Sequence, residues 1–201
     1  VYPVSGGDIR FKRKCLTRLK SHTIAAEGIA RTFQMPLLFY NMTALENVMT
    51  GRHTRTRAGI LNVALPLGKT RTEEGAMYQK AMSLLELVGL KPRAHLLADA
   101  IPFGERRVLE IARALAMEPE LLLLDEPAAG LNDAEQDRLC DLLKQIQGMG
   151  ITILWVEHNM RMVMNLADEI LVIDWGKKIA EGTPQQIQSD PKVIEAYLGG
   201  G

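Results

Sequence analysis

Hydrophobic positions along this chain fall into two alternating rhythms. Short apolar or β-rich runs occur at 8–11, 28–34, 121–124, 151–156, 169–174 and 178–181, and each reads as a strand. Between them apolar residues recur at helical spacing: Ala81, Leu84, Leu85, Leu87 and Val88; then Leu109, Ile111, Ala112 and Leu115; then Leu139, Leu142, Leu143 and Ile146. Strands alternating with helices predict an α/β fold around a mostly parallel sheet. Leu121 to Leu124 is apolar at every position, so that strand is expected to be covered on both faces.

Capping residues punctuate the pattern. Thr43 with Glu46, and Asn132 with Glu135, have the capping-box spacing and each should open a helix. Thr72 is expected to cap the long helix of Ala81 to Val88, with Gly89 as its left-handed stop. Thr183-Pro184 and Asp190-Pro191 each place a cap before a proline at the first helical position. The segment 51–70, rich in Gly, Arg and Thr, reads as a mobile insertion. The basic stretch between the first two strands, with Lys12, Arg13, Lys14, Arg18 and Lys20, reads as a solvated loop or short helix.

Chemistry gathers where strands end. Leu121 to Leu124 runs into Asp125-Glu126, which is a Walker B ending, and ligands of parallel sheets sit at the carboxyl ends of strands. Taken alone, the same residues also describe a buried strand meeting an acidic turn. The 151–156 run ends in Glu157-His158. A helix opening at Gly104 offers free backbone N–H groups and the positive end of its dipole, which suits a phosphate.

The order of these features resembles the ATP-binding subunit of an ABC transporter. Matched in order, Gln34 stands as the Q-loop glutamine, and Ile101, Pro102, Phe103, Gly104 and Glu105 occupy the five signature positions. Ala128 to Asn132 form the D-loop, Asp125 and Glu126 close Walker B, and His158 is the switch histidine. Gly28 to Gln34, the insert Gly51 to Gly59 and the tail Asp190 to Gly199 are similar to the branched-chain amino-acid transporter branch. The resemblance implies a partial P-loop NTPase (ABC ATPase) fold over residues 1–201, with a helical subdomain inserted at about 36–117. It implies ATP and Mg²⁺ as cofactors, with Asp125 and Gln34 toward the metal. Glu126, with His158 and Gln34, is implied for the attacking water and γ-phosphate, and the signature residues and Asn132 for nucleotide. Implied partners are integral-membrane permease subunits, a second ABC ATPase subunit and, indirectly, a periplasmic solute-binding protein. Nucleic acid is not among them. The implied location is cytoplasmic, peripheral on the inner face of the cell membrane.

Several features limit or sharpen this. No Gly-x-x-x-x-Gly-Lys-Ser/Thr loop occurs in the sequence, so an N-terminally truncated cassette is expected, lacking the loop that cradles phosphates. The absent strand is expected to neighbour Leu121 to Leu124. Pro102 and Phe103 stand where the signature usually has serine and glycine, Glu105 where glutamine is common, and Asn132 where the D-loop usually ends in aspartate. Lys and Arg total 24 against 24 Asp and Glu, so no global field favours nucleic acid or an anionic membrane. Apolar runs fall short of the roughly 20 residues that span a bilayer. Cys15 and Cys140 are too far apart in sequence for a metal motif. An ABC-type ATPase acting on DNA or the ribosome, or a non-catalytic fragment, remain the alternatives.

Overall fold

The computed structural model describes residues 4–52 and 69–198, without the side chains of 69–73 and 197–198. The insertion expected at 51–70 therefore lies mostly outside the described residues. The central element is a three-stranded parallel sheet in the order β3 (Ile29–Arg31), β4 (Leu121–Asp125), β5 (Thr152–Val156). Its register sets Arg31 beside Leu123 and Asp125 beside Val156, so the three strand ends open on one side. Gly28, at φ 93°, turns the chain into β3 after helix α1 (Ser21–Ala26). Upstream of α1, β1 (Arg10–Phe11) and β2 (Lys14–Cys15) form a small hairpin, tied to the body by Lys12–Glu120 and Lys14–Glu27 ion pairs.

Two expectations about β4 need correction. Only Leu122 and Leu124 are buried, while Leu121, Leu123 and Asp125 are half-exposed, so β4 is covered on one face among the described residues rather than both. The covering helices are α4 (Phe103–Leu115) and α5 (Asp133–Gly148), whose Leu109, Ile111, Leu139, Leu142, Leu143 and Ile146 join Leu122 and Leu124 in one core. Nor does β4 lack a neighbour, since β3 and β5 flank it; among the described residues the unpaired edges are those of β3 and β5, and on β5 Leu154 and Val156 are 61% and 62% exposed.

Helix α2 (Ala44–Gly51) opens on Thr43, whose side chain accepts from the Glu46 N–H while Glu46 reaches back to the Thr43 N–H. Helices α2, α3 (Lys69–Leu87) and α4 pack together through Val48, Ala81, Leu84, Leu85 and Ala112. Gly51 permits the close approach, because a Cβ there would collide with the Arg113 carbonyl. Thr72 lies inside α3 and not at its start, since the helix begins at Lys69. Gly89, at φ 75°, ends it as expected. After β5, helix α6 (Met160–Leu166) leads to an antiparallel hairpin of β6 (Ile170–Asp174) and β7 (Lys177–Gly182), turning through Trp175 and Gly176. Helices α7 (Pro184–Gln188) and α8 (Pro191–Leu198) close the chain with Ile187 and Val193 on a second small core.

Candidate ATP-hydrolysis site

The carboxyl ends of β3, β4 and β5 bring Gln34, Asp125, Glu126 and His158 together. Gln34, three residues past β3, donates from Nε2 to Glu126 Oε2 at 2.8 Å. His158 Nδ1 lies 3.9 Å from Glu126 Oε1, on an exposed side chain. One carboxylate is thus met from both flanking strand ends. Glu126 sits at φ 45°, a left-handed conformation costly for a side-chain-bearing residue, and its N–H donates to the Val156 carbonyl at 2.9 Å. Strain of this kind persists where the surroundings over-determine it. Asp125 is held by Arg31, Nη2 to Oδ2 at 3.1 Å, and the Arg31 guanidinium also lies 5.1 Å from the Phe33 ring centroid.

The segment after Glu126 is anchored by Glu157, a residue with no role assigned from sequence. Its Oε1 accepts from the Ala128 N–H at 2.8 Å and its Oε2 from the His158 N–H at 3.1 Å, so one carboxylate fixes both the turn after β4 and the turn after β5. The available signal was an acid adjoining His158 at a strand end.

The signature positions occupy the start of α4. The helix begins at Phe103, one residue before the glycine expected to open it, with Pro102 as its cap residue. Ile101 is buried, and its carbonyl accepts from Arg106 Nε at 2.7 Å, so its side chain serves the core. Glu105 pairs with Arg93 at 2.7 Å, which offsets the negative charge at this helix start. Phe103 rests against the turn of Gly130, where φ is 78° and an added Cβ would stand 3.1 Å from the ring. Gly104 is pressed against Glu135, with an added Cβ only 2.6 Å from Oε1. Asn132 is committed to its cap: its Oδ1 accepts from the Glu135 N–H at 3.0 Å and its N–H donates to Glu135 at 2.9 Å.

Two charged side chains of α4 are buried beneath the site. Burial pulls the Arg107 guanidinium below its ordinary pKa, opposed by the nearby Glu110, Glu126 and Glu157. Arginine nevertheless stays charged. Burial pushes the Glu110 carboxyl up, opposed by the Leu37 N–H, Arg113, the Phe33 backbone and Arg107.

The residues suit a metal held mainly by phosphate and water. Among the described residues no group of three or more His, Cys, Asp or Glu could hold an ion alone. Asp125 and Gln34 instead offer the few oxygen ligands that magnesium takes from protein when phosphates supply the rest.

Comparison with known proteins assigns the chain as a whole to a family. Residues 1–129 match the ABC transporter family, and 177–201 match the family described as branched-chain amino acid ATP-binding cassette transporter. The chain belongs to the ABC transporter ATP-binding family, in its branched-chain amino-acid branch. It is 39% identical over 199 residues to the high-affinity branched-chain amino acid transport ATP-binding protein LivG of Escherichia coli, covering 98% of this chain and 78% of that protein. The corresponding BraF of Pseudomonas aeruginosa is 40% identical over the same shares. Among solved structures, a nucleotide-free ATP-binding cassette from an ABC transporter superposes with a TM-score of 0.80 at 30% identity, covering 98% of this chain and 78% of that one. The ABC ATPase fold is therefore shared, and the family's members are ATPases.

Proposed function

We propose that this chain is the ATP-hydrolysing subunit of an ABC importer for branched-chain amino acids. The observation that carries the reading is Glu126, strained at positive φ and met by both Gln34 and His158 at one sheet end. Phosphoryl transfer needs a placed water and neutralised oxygens more than covalent help. Glu126 orients the attacking water and takes its proton; Gln34 fixes that carboxylate from the β3 side; His158 hydrogen-bonds the γ-phosphate from the β5 side. Asp125, with Gln34, would hold Mg²⁺, the Asp125 carboxylate turning to the metal from its pairing with Arg31. A bound Mg²⁺ neutralises phosphate oxygens and aligns them for displacement. The N-terminus of α4, with Gly104 and the Glu105 amide, presents backbone donors to a nucleotide of a second cassette, and Asn132 holds the adjoining turn.

Helices α2 to α4 form the helical subdomain of about 36–117. Beyond Gln34, exposed Met35, Leu37, Phe39 and Tyr40 with Leu96 and Leu97 give this part an apolar surface suited to a membrane permease. No helix among the described residues is long and apolar enough to cross a membrane. On this reading the chain is peripheral on the inner face of the cell membrane, held there by the permease. The amino-acid substrate follows the names of the relatives and the match at 177–201, with a solute-binding protein supplying it to the permease. The test is uptake of labelled leucine by cells carrying the assembled transporter. Uptake should disappear with Glu126→Gln while the permease still copurifies; unchanged uptake would remove the assignment.

A further inference from the structure

Arg107 and Glu110 are 5% and 2% exposed, the two most costly kinds of side chain to bury, on a helix that could have placed leucines there. Neither is used to bind the other alone. Arg107 Nη1 donates to the Phe33 carbonyl at 3.1 Å, and Glu110 Oε1 accepts from the Leu37 N–H at 3.2 Å. The Phe33 backbone also helps hold the Glu110 charge. These contacts bracket Gln34, whose own amide reaches Glu126 at 2.8 Å. The segment from Phe33 to Leu37 lies in neither helix nor strand, so its backbone takes these partners from α4. At its other end the Arg107 guanidinium lies 5.7 Å from the Phe103 ring, which rests on Gly130 of the turn after Glu126.

We propose that Arg107 and Glu110 are positioning residues: together they clamp the backbone on both sides of Gln34, so that the helix opening at the signature positions carries Gln34 onto Glu126. This deepens the proposed reading of Gln34 and rests on it. The clamp couples the place where a second cassette's nucleotide would dock to the carboxylate of this chain's own site. A merely structural pair would anchor α4 to its core; this pair spends its charge on a loop that only Gln34 makes chemically interesting.

The test reads residue-resolved amide hydrogen exchange and the Gln34 side-chain amide resonances of the 201-residue chain, without nucleotide, so its outcome does not depend on ATP hydrolysis. Arg107→Met and Glu110→Leu should speed exchange at the Leu37 amide about tenfold, the loss of roughly one hydrogen bond, and shift the Gln34 carboxamide toward free-amide values. Amides inside α4 and β4 should keep their protection. Glu110→Gln retains an acceptor and should stay within about threefold of the unaltered chain. Should either apolar variant fail to fold, Arg107→Lys, which keeps the charge and loses the planar fork, should give the same local loss. Unchanged Leu37 and Gln34 signals would overturn the clamp. Protection lost evenly across α4 and β4 would overturn it too, by showing a structural pair.

Discussion

Glu126 is where single-residue physics and chemistry meet, because a left-handed backbone at a charged residue needs support from its neighbours. That support was partly legible in the sequence. Asp125, Glu126 and His158 could be placed because each follows an apolar run that reads as a strand, and Gln34 because it follows Gly28 to Phe33 in the same way. Arg107, Glu110 and Glu157 could not, since their partners are backbone groups distant in sequence, at Phe33, Leu37 and Ala128, and no local pattern encodes such contacts. Glu110 yields a prediction of its own. Burial raises its folded pKa above the unfolded value, so ionising it costs the folded state more than the unfolded one. Below about pH 4.3, the ordinary glutamate value, the group is neutral in both states and the cost is absent; it grows as pH rises from there through the raised folded pKa. Denaturant midpoints should therefore show the unaltered chain losing stability relative to Glu110→Gln as pH climbs from 4 toward neutrality. A constant difference would mean that Glu110 is not desolvated.

At the scale of elements, the caps were the most legible feature and the packed faces the least. Thr43 and Asn132 form the reciprocal bonds their spacing implied, and Thr183 caps its helix before Pro184 as expected while adding a reciprocal bond with Gln186. Thr72 did not cap α3, because the helix continues upstream to Lys69 and a Thr can sit within a helix as well as before it. The one-sided burial of β4 was invisible, since four consecutive leucines look alike whether one face or two are covered. Two substitutions follow. Asn132→Ala should cost about 1 kcal/mol by removing the cap of α5, measured by chemical unfolding. Gly130→Ala should cost more, roughly 1–3 kcal/mol, from positive φ and the approach to Phe103. In a Phe103→Ala background the steric part should vanish and the backbone part remain. An undiminished penalty there would show that Phe103 does not press on this turn.

Across the whole molecule, the central sheet opens its candidate site at one end and leaves the outer edges of β3 and β5 unpaired among the described residues. Leu154 and Val156 stand exposed on β5, and Leu171 and Ile173 on β6. An apolar strand with free N–H and C=O groups recruits another strand. The 201-residue chain by itself should therefore self-associate in sedimentation velocity, and Leu154→Lys with Val156→Lys should reduce this; a monodisperse monomer would contradict it. With no phosphate loop in the sequence, two or three charge-assisted contacts worth roughly 1.5–3 kcal/mol each are missing, which lowers ATP affinity by about three decades or more. Calorimetry returning micromolar ATP affinity for this chain would contradict that.

The family assignment followed from the order of weak motifs, each ambiguous alone; what remained open was which residues act. The measurement that decides it is steady-state phosphate release by the cassette, supplied with a phosphate loop and assembled with its permease. Glu126→Gln should retain ATP binding and slow release by roughly 10²-fold or more, the scale of a placed general base. Release at the unaltered rate would contradict the account, and leave Asp125 and Glu126 as the acidic end of an ordinary strand.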